Sequence, residues 1–401
     1  MDEIKEKVDF ILLASGEGNR FSKHKLKQFA KIGNLSILEI SVINLLKWKK
    51  THRVIIVCLK KVFLETKFNK EKTIIRNILK NNKKNVLLTY GGKNRQDSVL
   101  KGLNFLKKQN NLTNYVGIHD CARPFVKVGV LNRLHKKIIS NDCVIPTMPV
   151  NDTLKSFSRD NITKTIDRKK TVVAQTPQFF KRDIITSLHS KIKRNKNKLY
   201  TDDASILEDY NYTIKKVTGD STLEKITYNN DLEKLVMNFE YRTGLGFDVH
   251  KFSNIKSKPL IIFGINFDYH KSLQAHSDGD VGYHALCDAL LGSMALEDIG
   301  YFFPPSEKKW KNKDSEYFLN FVLEKLNENN ELINNIDITI ICENPKITPY
   351  RTKILKKLSK ITKTNENRIS LKSSTTEKLG FLGREEGISV LVQVSIKILN
   401  I

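Results

Sequence analysis

The run Leu13-Ala14-Ser15-Gly16-Glu17-Gly18-Asn19-Arg20, with Lys27 further along, has residue types suited to phosphate chemistry. Gly16 and Gly18 let the backbone curl so that successive N–H groups point inward, and a following helix would add its positive end. The same spacing also fits an ordinary tight turn. No Gly-Lys-Ser/Thr follows, which excludes a Walker loop, and a third glycine of the dinucleotide fingerprint is missing. Arg20 and Lys27 supply two cations where a triphosphate would lie. A second chemistry begins at Gly246-Phe247-Asp248-Val249-His250. On a strand, Asp248 and His250 share one face. With His284 on a facing helix they would form a three-ligand metal site whose fourth position is open, as in catalytic zinc centres. Taken alone, Asp-x-His is also an unremarkable structural pair.

Further clusters surround each run. In the first half, Gly91-Gly92-Lys93-Asn94-Arg95-Gln96-Asp97-Ser98 is a second glycine turn with polar groups able to read a base. His119-Asp120-Cys121-Ala122-Arg123-Pro124 brings a carboxylate suited to magnesium. Thr165-Ile166-Asp167-Arg168, Gln175 to Phe180 and Thr201 to Ser205 follow. In the second half, Ala275-His276-Ser277-Asp278-Gly279-Asp280 precedes His284. Asp288, one helical turn on, is placed to orient His284 or to contact substrate. Asp298-Ile299-Gly300, Ser374-Thr375-Thr376-Glu377-Lys378-Leu379-Gly380-Phe381 and Arg384 close the set.

These residues need elements to hold them. Strands are expected over 10–14, 53–59, 86–90, 116–119 and 143–147, alternating with helices over 37–46, 98–106 and 128–139. Strict alternation implies an α/β unit with a mostly parallel, Rossmann-like sheet, whose ligands sit at the carboxyl ends of strands. Residues 14–27, 91–98 and 119–124 all fall at such ends. A closing helix over 229–240 and a new strand from Tyr241 put the domain boundary near 238–243, giving domains 1–240 and 241–401. The second reads as α+β: helices over 280–296, 315–327 and 350–362, with strands over 336–342, 368–372 and 388–398.

Composition narrows the classes. The net charge of +26 is lopsided: residues 1–240 carry 47 Lys+Arg against 24 Asp+Glu, whereas residues 241–401 carry 22 against 19. Lysine-rich stretches such as 191–198 lack interleaved aromatics for base stacking, so they read as solvated surface and not as a nucleic-acid interface. No run reaches the roughly 18 apolar residues of a membrane span. Five scattered cysteines, with no CxxC pair, point away from a disulfide framework and toward a reducing cytoplasm.

Residues 8 to about 238 resemble the 2-C-methyl-D-erythritol 4-phosphate cytidylyltransferases of non-mevalonate isoprenoid synthesis. Residues 242 to about 399 closely resemble the 2-C-methyl-D-erythritol 2,4-cyclodiphosphate synthases. The first resemblance implies attack of a methylerythritol phosphate oxygen on the α-phosphorus of CTP. Arg20 and Lys27 match its transition-state stabilisers, and Arg168 and Lys225 match residues that hold the attacking phosphate. It places nucleotide and substrate contacts at Ala14, Ser15, Gly16, Gly91, Ser98, Asp120 and Arg123, with Ser98 and its glycine turn reading cytosine and Asp120 helping to hold magnesium. The second resemblance implies attack of a 2-phosphate on the β-phosphorus of a CDP-linked substrate, with release of CMP. Zinc would sit on Asp248, His250 and His284, and Glu377 would hold a second divalent ion, magnesium or manganese, at the diphosphate. His276 and Thr375 match transition-state stabilisers. Ser277, Asp298, Ile299, Gly300, Cys342, Lys346, Ser374, Thr376, Phe381 and Arg384 match substrate contacts. Ser15, Asn19, Cys121 and Pro305 depart from residues common in these families.

The resemblance further implies trimers of the second half and dimers of the first, with a separate kinase between the two reactions as a transient partner. The competing reading is a sugar-phosphate nucleotidyltransferase joined to a non-catalytic zinc module. Thr375, Glu377 and His276 weigh against it, because a structural zinc takes four protein ligands.

Overall fold

Apolar runs too short to span anything but a sheet build the first unit. In the computed structural model, which describes residues 2–18, 21, 26–194, 198–234, 239–253, 259–274, 279–304, 306–310 and 313–399, Val8–Ala14 is almost wholly buried. It pairs in parallel with Thr51–Cys58 on one side and Tyr115–Asp120 on the other. Val86–Tyr90 extends the sheet in parallel from Thr51–Cys58. Continuous burial of these strands on both faces is the mark of a parallel sheet sandwiched between helices. The far side is mixed: Gln178–Lys181 inserts antiparallel between Tyr115–Asp120 and Cys143–Pro149. The helix Ile37–Leu46 begins at a capping box in which Ser36 and Glu39 satisfy each other's backbone amides. A polar hairpin, Leu154–Ser158 with Asn161–Ile166, stands outside this sheet with Phe157 and Ile162 largely exposed.

Tertiary contacts divide the chain into two compact units, 1–236 and 237–400. The expected closing helix over 229–240 is corrected: among the described residues a helix covers Asp231–Lys234, and Phe239 and Glu240 already belong to the strand Phe239–Ser253. Phe239 pairs with Leu399 and Glu240 with Ile398, so long-range pairing outweighs the local helical spacing.

The second unit is a five-stranded mixed sheet. Phe239–Ser253 lies antiparallel to Gly387–Leu399, which lies antiparallel to Glu331–Ile341, and Ile369–Ser374 continues in parallel. Helices Val281–Ser293, Ser315–Glu328 and Arg351–Thr362 contribute Leu286, Leu290, Phe318, Val322, Ile354 and Leu358 to its core. Glycine decides the closest approach. A Cβ on Gly246 would lie 1.9 Å from the Ala285 carbonyl, and one on Gly244 would lie 2.0 Å from that of Ala289. The helix therefore sits directly on the strand that carries Asp248 and His250.

Candidate functional sites

The first unit has a cavity of about 270 Å³ at the carboxyl ends of three parallel strands. Ala14, Ser15, Gly16, Gly18, Lys27, Gly92, Arg95, Asp120 and Lys225 line it. Gly18 has φ +70, a conformation that favours glycine and lets the loop turn back on Lys27. The Lys27 ammonium donates to the Ile226 carbonyl at 2.8 Å. Lys225 donates to Asp120 Oδ2 at 2.7 Å, and Arg95 Nε meets Asp120 Oδ1 at 3.3 Å. Burial alone would raise the Asp120 carboxyl. Arg95 and Lys225 overcome it and hold the group well below the ordinary carboxylate range.

Arg95 continues inward. Its Nη1 pairs with the fully buried Asp203 at 2.7 Å, and His189 Nε2 meets the other Asp203 oxygen at 3.0 Å. His189, from the helix Arg182–Arg194, is absent from the sequence expectations, since a histidine on a helix face carries no signal until the fold places Asp203 against it.

Several expected residues make contacts within the chain. The Ser98 hydroxyl is 2.9 Å from that of Ser15, bonds the Gly92 amide at 3.0 Å and donates to the Asn94 carbonyl at 2.8 Å. It thus fastens the glycine turn and faces into the loop. Gly91 packs beneath Ser15, where a Cβ would come within 2.5 Å of the serine's own. Arg123 donates to the Leu223 carbonyl and does not line the cavity. Arg168 is exposed beside the hairpin, donates to the Asn151 carbonyl, and is likewise not brought to the cavity. Cys121 is buried and its thiol is pushed up to about 12, in keeping with packing and not chemistry. Arg20 lies outside the described residues, as do His276, Ser277 and Pro305.

In the second unit Asp248 Oδ2 lies 2.9 Å from His250 Nε2 and 3.1 Å from His284 Nδ1. One ligand atom from each residue falls within a 4.8 Å cluster, the one such group among the described residues. Burial opposes ionisation of Asp248, but the two imidazoles hold its carboxyl well below the usual range. His250 Nδ1 is buried without a partner among the described residues, and an acidic oxygen set between two imidazoles is a donor set that suits a divalent cation. His284 Nε2 meets the Ser315 hydroxyl at 3.0 Å, which leaves Nδ1 for a metal. Ser315 was not expected. Asp288, expected to orient His284 or to contact substrate, accepts the Ile299 amide at 2.8 Å and anchors the turn after Asp298. Asp280 is fully buried and accepts the amides of Phe263, Gly264, Gly282 and Tyr283, so it fixes the start of the His284 helix.

Most of the remaining candidates follow the carboxyl ends of the parallel strands Glu331–Ile341 and Ile369–Ser374. Cys342 N donates to the Ser374 carbonyl at 3.1 Å, joining the segments after two parallel strands. The buried Cys342 thiol is pushed up to about 11. Thr375 Oγ1 lies 3.4 Å from Glu377 Oε1, and both residues are exposed. The Lys346 ammonium donates to the Glu343 carbonyl, Ser374 Oγ to the Thr375 carbonyl and Arg384 Nε to Glu386. Thr376 bonds Glu343, while Gly300 and Phe381 are exposed.

Comparison with known proteins adds kinship. Residues 8–237 match the model of the 2-C-methyl-D-erythritol 4-phosphate cytidylyltransferase family, and residues 241–397 that of the YgbB family. A protein of Bartonella tribocorum named bifunctional enzyme IspD/IspF is 38% identical over 96% of both chains. One of the same name from Wolbachia pipientis wMel is 34% identical over 97% of both. A solved structure of the bifunctional IspDF from Campylobacter jejuni aligns over 98% of both chains at 31% identity, with a TM-score of 0.45.

Proposed function

The chain belongs to the bifunctional IspD/IspF enzymes, and from that premise we propose which of its residues carry each of the two reactions. It is a cytidylyltransferase that joins CTP to 2-C-methyl-D-erythritol 4-phosphate with release of pyrophosphate. It is also a cyclodiphosphate synthase that closes CDP-methylerythritol 2-phosphate to the 2,4-cyclodiphosphate with release of CMP.

In cytidylyl transfer, the backbone of Ser15 to Gly18 cradles the triphosphate. Lys27 and Arg20 neutralise charge as the bond to pyrophosphate lengthens. Lys225 leaves its pairing with Asp120 to hold the attacking phosphate. Both oxygens of Asp120 already face cations, which favours a role in setting Lys225 and Arg95 over a role as a metal ligand. A magnesium ion would then travel with the CTP phosphates.

In cyclisation, Asp248, His250 and His284 are the metal ligands, and their convergence is the observation that carries the assignment. A zinc ion there would supply Lewis-acid polarisation of a β-phosphate oxygen. Ser315 fixes the His284 tautomer. Thr375 and His276 stabilise the transferring phosphoryl group, and Glu377 would serve a second divalent ion. Asp298 and Gly300 face the ribose, and the backbone of 342–346 the base.

Single-chain geometry leaves two gaps that a second copy would fill. Arg168 stands off the cavity, and Tyr241, Leu245, Phe247 and Val249 form an exposed apolar row along one strand. We therefore assign both a dimeric and a trimeric contact to the working enzyme.

Phosphorus NMR tests the function. Protein with CTP, magnesium and methylerythritol 4-phosphate is expected to release pyrophosphate. Protein with the 2-phosphorylated CDP-methylerythritol is expected to yield cyclic diphosphate and CMP. Silence in one reaction, with folding and metal content verified, would overturn the assignment for that unit.

A further inference from the structure

We propose that Glu343 is a positioning residue for cyclisation: its carboxylate fixes the turn that presents Thr375 and Glu377. The inference rests on the reading above, in which those two residues act on the diphosphate.

Strands Glu331–Ile341 and Ile369–Ser374 run in parallel and end in register, Ile341 beside Ser374. Their continuations leave the sheet side by side. Glu343 Oε1 accepts the Thr376 amide at 3.0 Å and the Lys378 amide at 3.2 Å. The Thr376 hydroxyl has one proton, and its shorter bond, 2.8 Å to the Leu379 carbonyl, claims it over the 3.3 Å approach to Glu343. The Thr376 amide chiefly holds the Glu343 carboxyl below its ordinary range, so it is a charged acceptor at neutral pH.

Glu377 lies between the two amides that Glu343 accepts. It has φ +51 and Lys378 has φ +62. Two consecutive non-glycine residues in the left-handed region persist only where their surroundings over-determine them. Glu343 supplies that constraint. A second tie flanks it: Asn344 Nδ2 donates to Glu385 Oε1 at 2.9 Å, and Glu385 also has a left-handed φ, +56. The segment assigned to the base thus holds the loop assigned to the phosphates. Loss of Glu343 lets the turn relax, which moves Glu377 without removing any group that contacts nucleotide.

The experiment uses the full-length enzyme with E343A, E343Q, E377Q and the double variant E343A/E377Q. Cyclisation kcat and KM, half-saturating magnesium and CDP affinity are measured. Cytidylyl transfer and metal bound at Asp248, His250 and His284 report folding of each unit. E343A is expected to lower kcat by about 100-fold, the scale of an ångström of misplacement. It should raise half-saturating magnesium, and CDP affinity, read separately because 342–346 lies at the base, should fall by less than kcat. E343Q, which keeps an acceptor oxygen but not the charge, should fall between. The double variant should be no slower than E377Q, because the two act as a unit. E343A with wild-type kcat and magnesium dependence, or additive losses in the double variant, would sink the proposal. E377Q at wild-type turnover would instead sink the underlying reading of Glu377 and the clamp's purpose with it.

Discussion

At the scale of single residues, both sites work by setting charges against partners the chain itself supplies. Ser315 is the sharpest case, since it touches His284 on the side away from Asp248. Replacing Ser315 with alanine is expected to weaken the metal about 10- to 100-fold while leaving the three ligands in place. Competition with a chelator, followed by metal analysis, reads that loss; unchanged retention would remove Ser315 from the site. Acid sensitivity has a definite sign. Asp120 and Asp203 are buried, yet their cationic partners hold both carboxyls below the usual range. Their folded pKa values lie below the unfolded value of about 3.9. The stability they lend is therefore complete above that pH and is lost as pH falls toward the folded values. Thermal unfolding of the first unit should shift little between pH 7 and 5 and fall steeply below about 4. A flat profile through that range would contradict the ion-pair network.

At the scale of elements, close approach matters more than any side chain. Gly246 stands in the metal motif, but its work is to let strand Phe239–Ser253 touch helix Val281–Ser293. Gly246→Ala would drive a methyl group into the Ala285 carbonyl, next to His284. We expect a loss of about 1–3 kcal/mol from overpacking, and metal binding impaired more than the fold. Calorimetry together with metal content checks both; normal metal content would mean that the strand and helix are free to separate. The elements were legible to different degrees. The helix over 37–46 and the strand over 86–90 follow directly from apolar spacing. The helix expected over 229–240 is present at Asp231–Lys234 but does not reach 240, because Phe239 and Glu240 pair with the distant strand Gly387–Leu399. The hairpin 154–166 escaped notice because almost none of it is buried, so it has no apolar alternation to read.

At the scale of the whole molecule, each unit has its own core and its own chemistry. Lys225→Ala is expected to abolish most cytidylyl transfer and leave cyclisation unchanged, and His250→Ala to do the reverse. Assaying both reactions on each variant checks this; a loss of both activities from either substitution would mean that the sites depend on each other.

The sequence by itself pointed to the two chemistries through motifs that resemble two families. Metal ligands at alternate strand positions, a glycine loop after an apolar strand and the Thr-Thr-Glu-Lys segment are local patterns, and local spacing dictates which groups share a face. It also determined that Asp248 and His250 would act together, since two residues on one strand need no tertiary contact to align. Only the tertiary structure decided what holds the reactive groups. Ser315 against His284, Asp203 and His189 behind Arg95, and Glu343 beside the turn that carries Glu377 join residues separated by 14 to more than 100 positions. Such contacts depend on strand order and helix packing, which residue spacing along the chain does not encode. The same holds for Ser98, whose motif position points to the base but whose hydroxyl bonds the Gly92 amide and the Asn94 carbonyl.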